Sequence, residues 1–261
     1  NCVGRHKLAV KKADEMSFAP YASAQDKLDR FINSFGTQSF RDQADRDYIA
    51  ARLACRYELF PQFLWASHQA IEKYLKAILL YNRVKKAAKV GHDLAFALSL
   101  TETLPFQIEL SSRSRKFIGH LAEVGEFRYI DIPFHVSGHI LMDLDLAVWE
   151  IRRYCQVLNV FGKVLPLREQ KLLDAAWSEL AGSKTEPRHQ FRLQDGLLEK
   201  ILDERKHPSR SALLWHNPCF GVRKRATIRA KSHVSAQNPL LYLYPEMLEE
   251  LVKYVFIPHK Q

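Results

Sequence analysis

The stretch WASHQAIEKYLKAILL, residues 65–80, sets His68, Glu72, Lys73 and Lys76 among apolar positions at helical spacing. Lys73 and Lys76 lie three apart on one side of that helix, away from the apolar row of Ile71, Leu75 and Ile78. Two ammonium groups so placed could face phosphates. They could equally form a solvated face in which Glu72 and Lys76, four apart, make an intrahelical ion pair. His68 and Glu72 share a flank by the same spacing. About a dozen residues later, GHDLAFAL brings His92 and Asp93 to the start of the next helical run, where Asp93 suits an N-cap.

A different chemistry is offered by FGVRKRATIRAK, residues 220–231. Val222, Ala226, Ile228 and Ala230 alternate with Arg223, Arg225, Arg229 and Lys231, and only Lys224 breaks the pattern. A half-exposed strand with a basic face fits that alternation. Such a strand could track a nucleic-acid backbone, with Phe220, Tyr242 and Tyr244 as stacking groups, or simply be a solvated surface. Nothing in it reads base sequence. His135 and His139 are four apart, but no cysteine or second ligand pair accompanies them, so neither a metal site nor a cofactor is expected.

Composition narrows the remaining classes. The chain has 261 residues, 47% apolar and 26% charged, which suits a globular protein with a substantial core. Glycine is scarce, and neither GxxxxGK[ST] nor GxGxxG is present, which removes the P-loop and dinucleotide-binding readings. Cys2, Cys55, Cys155 and Cys219 are scattered, so free thiols in a reducing cytosol are expected. No apolar run is long enough for a membrane span. The first residues lack an apolar signal core, and without an initiator Met the chain is expected to begin inside a longer one. Residues 163–261 carry seventeen basic and eleven acidic groups and so hold six of the ten excess positive charges, a pointer to a polyanionic partner.

The elements that must position these side chains are mostly helical. Residues 44–60 place Tyr48, Ala51, Cys55 and Leu59 at helical spacing, and Pro61 opens a second helix running to about residue 82. Further helices are expected at 90–104, 107–126 and 134–161, the last with Leu141, Leu144, Val148, Ile151, Cys155 and Leu158 in register. Short connections between amphipathic helices imply antiparallel neighbours, hence an up-and-down bundle. Beyond Pro166, helices at 168–181 and 190–205 give way to turns. The basic strand, a possible partner strand at LLYLY (240–244) and a short helix from Pro245 follow. The expected fold is therefore mainly α, with a smaller C-terminal α+β extension. The expected divisions are an N-terminal extension 1–40, a bundle 41–165 and a basic extension 166–261.

HQAIEKYLKAIL, then GHDL, then FRYID ahead of a long last helix resemble, in their order and spacing, the HEPN domain over about residues 42–161. The resemblance implies a helical bundle that commonly forms a two-fold dimer and binds nucleotides or RNA. Many members are metal-independent endoribonucleases or toxins of toxin–antitoxin pairs. It implies a homodimer, and an antitoxin or nucleotidyltransferase-like protein as a further partner. It also implies a catalytic arginine and histidine near the start of the last helix, the positions of Arg128 and His135, with six residues between them. The arginine would steady charge on the phosphoryl oxygens and the histidine would move the 2′-hydroxyl proton. Tyr129 after the arginine resembles the nucleotide-binding branch, in which the module is non-catalytic. Lys73, Lys76 and His92 on the bundle, with Arg223, Arg225, Arg229 and Lys231 on the tail, form the expected nucleotide- or RNA-binding set.

Overall fold

A computed structural model describes residues 24–125, 134–137, 139–160, 165, 167–222, 234–237 and 244–254. Helix α1 (Ala24–Phe35) passes through a π-helical stretch, Gly36–Arg41, into α2 (Asp42–Arg56). Gly36 marks a close approach, since a Cβ there would sit 3.1 Å from the ring of Tyr81. Beside it the hydroxyls of Thr37 and Tyr81 are 2.8 Å apart. Glu58 closes α2 with φ 59°, allowing the Leu59 N–H to reach the carbonyl of Ala54 at 2.9 Å. Such a left-handed residue costs a non-glycine side chain about 1–2 kcal/mol, so neighbouring contacts must hold it.

Pro61 then sits in the first turn of α3 (Phe60–Tyr81), where its missing N–H leaves no helical bond unmade. Arg83, at φ 54°, ends that helix, and its guanidinium donates to Asn33 Oδ1 at 2.9 Å and the Asp29 carbonyl at 3.1 Å, tying the turn to α1. Three helices complete the bundle: α4 (Leu94–Thr101), α5 (Ser112–Gly125) and α6 (Ile140–Arg152). Helix α3 packs against α2, α4, α5 and α6, which makes it the axis of an up-and-down bundle. The expected apolar row of Leu64, Ile71, Leu75 and Ile78 is buried, as are Leu141, Leu144, Val148 and Ile151 on α6. Leu59 is instead half exposed, because it precedes α3 rather than continuing α2.

Two of the expected elements differ. Residues 134–137, expected to open the last helix, form strand β1 (Phe134–Ser137), and α6 begins only at Ile140. Its far end tightens at Tyr154 and Cys155, whose N–H groups reach back three residues to Ile151 and Arg152. Helix α5 starts at Ser112 rather than near 107, because the Ser111 hydroxyl accepts from the Ser114 N–H at 3.2 Å and caps it.

The C-terminal part is also helical: α7 (Leu167–Gly182), α8 (Leu197–Asp203) and α9 (Arg210–Leu214), then α10 (Leu248–Leu251) after a turn of 3₁₀ helix from Pro245. The described residues here do not form an α+β unit of their own. Strand β2 (Val234–Gln237) pairs antiparallel with β1, matching His135 to Ala236. The expected strand at 220–231 and LLYLY fall mainly outside the described residues. Leu193, Leu198, Ile201, Leu213 and Cys219 are buried in the same hydrophobic core as the bundle. No helix among the described residues is long and apolar enough to cross a membrane.

Two buried arginines join these halves. Arg152 on α6 donates to both carboxylate oxygens of Asp45 on α2, at 2.7 and 2.9 Å, and to both of Glu199 on α8, at 2.7 Å each. Tyr74 on α3 adds a 2.6 Å bond to Asp45, and the Leu193 N–H donates to Glu199 at 3.0 Å. Arg52 on α2 pairs with Asp145 on α6 and donates to the carbonyls of Ala212, at 2.9 Å, and Trp215. Gly196 belongs to this arrangement: a Cβ there would overlap the Glu199 carboxylate and press on Arg152. Removing one member of such a buried pair strands its partner's charge. Arg152→Ala should therefore cost on the order of 3–5 kcal/mol in urea unfolding. A loss under about 1 kcal/mol would mean that the charges are not what fastens the C-terminal segment.

Candidate functional site

The polar side of α3 meets the loop that enters α4. Gly91, at φ 54°, turns the chain there so that its carbonyl and the His92 ring both face α3. Lys76 Nζ donates to Glu72 Oε1 at 2.6 Å and to the Gly91 carbonyl at 2.6 Å. His92 Nδ1 lies 3.0 Å from Glu72 Oε2, and His68 Nδ1 lies 3.6 Å from the same oxygen. Asp93 caps α4 as expected, accepting from the Phe96 N–H at 2.8 Å.

The electrostatics centre on Glu72. Burial pushes its carboxyl pKa up, but hydrogen bonds and charge from Lys76 and His92 outweigh that and hold it below the usual carboxylate range. Glu72 is therefore a buried anion, while the His92 side chain is 62% exposed. An exposed imidazole oriented by a buried carboxylate can exchange protons with solvent or hold an anion when protonated. Lys73 is tied elsewhere, in an ion pair with Asp47 of α2.

Of the residues expected to act, the structure brings together Lys76 and His92, through Glu72, and turns Lys73 toward Asp47. Both lysines are thus neutralised by carboxylates. Arg128, Arg223, Arg225, Arg229 and Lys231 lie outside the described residues. His135 is placed by its backbone alone, on β1, two residues from the end of that strand. His135 and His139, four apart in sequence, do not share a helix, since a strand carries the first and the second precedes α6. Among the described residues no group of three or more His, Cys, Asp or Glu is arranged to hold a metal ion. Burial raises the thiol pKa of Cys55 to about 11 and pushes Cys155 and Cys219 higher still, so none is a ready nucleophile.

Sequence reasoning missed Asp47 as the partner of Lys73 and the carbonyl of Gly91 as the partner of Lys76. The first had no local signal, because the two residues are 26 positions apart. A positive-φ glycine directly before HDL was a usable sign of a turn presenting its carbonyl.

The model of the HEPN domain family matches residues 37–131 of the chain. That span runs through the π-helical stretch and α2, α3, α4 and α5, so it is these helices that are similar to the HEPN domain. Comparison with curated proteins and with solved structures gives no match.

The linkage has a definite sign. Glu72's folded pKa lies below its unfolded value, so its contribution to stability is present above the unfolded carboxylate range and fades as pH falls through the folded one. Carboxyl-detected NMR titration should place the Glu72 midpoint below that of a free glutamate, about 4.3, and Lys76→Ala should move it up. A wild-type midpoint at or above that of free glutamate would contradict the assignment.

Proposed function

We propose that this protein binds RNA or nucleotide phosphates through its HEPN bundle and basic tail, and cuts RNA without a metal. Arg128 steadies charge on the phosphoryl oxygens and His135 moves the 2′-hydroxyl proton. The match of residues 37–131 to the HEPN domain carries this reading. Arg128 falls inside the matched span, and His135 stands four residues beyond its end.

The pairing of β1 with β2 supports a role for the tail. Lys231 precedes Val234 of β2 by three residues, a reach of at most about 11 Å of extended chain. Lys231, the last residue of the segment that also holds Arg223, Arg225 and Arg229, is therefore joined by a short run of chain to the strand that pairs with that of His135. A substrate backbone lying along it would pass near the imidazole-bearing strand. Two copies related by a two-fold axis would set two Arg128–His135 pairs side by side, and an antitoxin or nucleotidyltransferase-like partner would cover them. The cytoplasm is the compartment this reading assigns.

A second reading is favoured by the ion pairs of Lys73 and Lys76, which leave neither ammonium without a carboxylate. In that reading the bundle is a non-catalytic nucleotide-binding or dimerisation module.

One set of purified variants separates the two. His135→Ala should slow RNA cleavage on the order of 10²–10⁴-fold with folding nearly unchanged. Arg128→Lys should also impair it, because a lysine keeps the charge but loses the planar fork. Cleavage by nuclease-free protein that is equal in wild type and His135→Ala would leave the non-catalytic module as the better reading.

A further inference from the structure

Away from the α3 site, an open cleft of about 600 Å³ lies between α6 and the turn that follows α7. Its floor is Trp149 on α6 and Arg153, the residue directly after that helix. Arg153 is 4% exposed, yet among the described residues no carboxylate forms an ion pair with it, and Glu150 and Glu109 act on it only from a distance. Its guanidinium lies 4.1 Å from the centre of the Trp149 ring, and Nη1 donates to the Ser183 hydroxyl at 2.7 Å. Its Nε is buried and makes no hydrogen bond. Arg152, next in the chain, holds two carboxylates, so the contrast within the pair is sharp.

A buried cation without a counter-ion is costly, and the cost is removed by an anion that enters the cleft. Burial pulls the Arg153 pKa below its ordinary value, and the nearby charges of Glu150 and Glu109 offset that pull only in part. Arg188 is exposed at the rim, with its guanidinium 5.4 Å from the centre of the same indole. The two forks are thus at most about 10 Å apart, and the exposed Arg188 side chain can swing toward an oxyanion that Arg153 holds. The Trp149 N–H donates to the Arg188 carbonyl at 3.1 Å and fixes the rim to the floor.

The remaining wall is not basic. Glu150 is buried at the cleft, with one carboxylate oxygen taking the Ser111 N–H at 2.8 Å. Lys184 is engaged with Glu109 at 2.6 Å. Glu150 disfavours a purely anionic ligand but suits one that carries hydroxyl donors beside its charged group. The volume is that of a small-molecule site rather than of a polymer groove.

We infer that this cleft binds a small phosphate monoester of a polyol, with Arg153 and Arg188 gripping the phosphate and Glu150 accepting from a hydroxyl. The site is built from the end of α6, residues 183–188 and the 109–111 segment inside the span matched to the HEPN domain, and does not depend on RNA cleavage.

Titration calorimetry on the full chain tests this with inorganic phosphate and ribose 5-phosphate as probes. Ribose 5-phosphate should bind saturably, and Arg188→Ala should weaken it at least about tenfold, the loss of one charge-assisted contact. Arg153→Lys should weaken it further, because a lysine cannot present the fork from beneath the indole. Glu150→Gln should weaken ribose 5-phosphate but leave inorganic phosphate unchanged. Equal affinity for the two probes, still lost in Arg188→Ala, would keep the site and identify free phosphate as its ligand. Absence of saturable binding by either probe at millimolar concentration would overturn the inference. So would binding that Arg188→Ala, checked for an unchanged thermal midpoint, retains in full.

Discussion

A guanidinium without water must be surrounded by acceptors, and Arg152 meets that demand only when α2, α6 and α8 are all in place. Asp45 and Glu199 come from opposite ends of the chain, 107 and 47 positions from Arg152. Neither carboxylate is tolerable alone in that setting, and together they neutralise one arginine between them with charge to spare. Tyr74 and the Leu193 N–H absorb part of the excess. Arg52 repeats the arrangement one layer away, with Asp145 and the carbonyls that close α9. Hydrogen bonds of this kind are directional, so they fix how the segments meet more strictly than apolar burial does.

The consequence for function is geometric. The bundle on its own would present the outer surfaces of α2 and α6. Here the C-terminal segment covers part of both, and its strand β2 lies against β1, where His135 stands. The polar side of α3 is organised differently, by Glu72 as a buried anion that collects Lys76 and His92 around the entry to α4. Both patches use a buried carboxylate to orient cations. Among the described residues, Arg153 is the buried cation that no carboxylate pairs with, and the cleft beside it is where an outside anion has something to gain.

Much of the bundle was legible in the sequence because amphipathic periodicity reports burial directly. The apolar row of α3, the N-cap at Asp93 and the Glu72–Lys76 pair depend on neighbours within four residues, which a sequence displays. What was illegible depends on distant partners. The strand at 134–137 needs residues 234–237 to exist at all, and its own pattern before α6 reads as helix. Asp45, Tyr48 and Arg52 fall in the same stripe as Ala44 and Ala51, and polar residues on an apolar stripe are the signal of a buried pair. The identity of the partners, Arg152 and Asp145, carries no local mark. The separation of the C-terminal part in composition and turn content likewise hid how completely it shares the core.

Native-state hydrogen exchange tests the central claim, that the buried arginines make bundle and C-terminal segment one cooperative unit. The amides of α8 and of Leu193 should open with the same free energy as those of α2 and α3, because freeing Glu199 takes away the acceptors it offers to Nη1 and Nη2 of the buried Arg152. Exchange of α8 by a low-energy local opening, several kcal/mol below that of α2 and α3, would contradict the account. The segment would then be an attached layer, and the buried charges would be satisfied within the bundle alone.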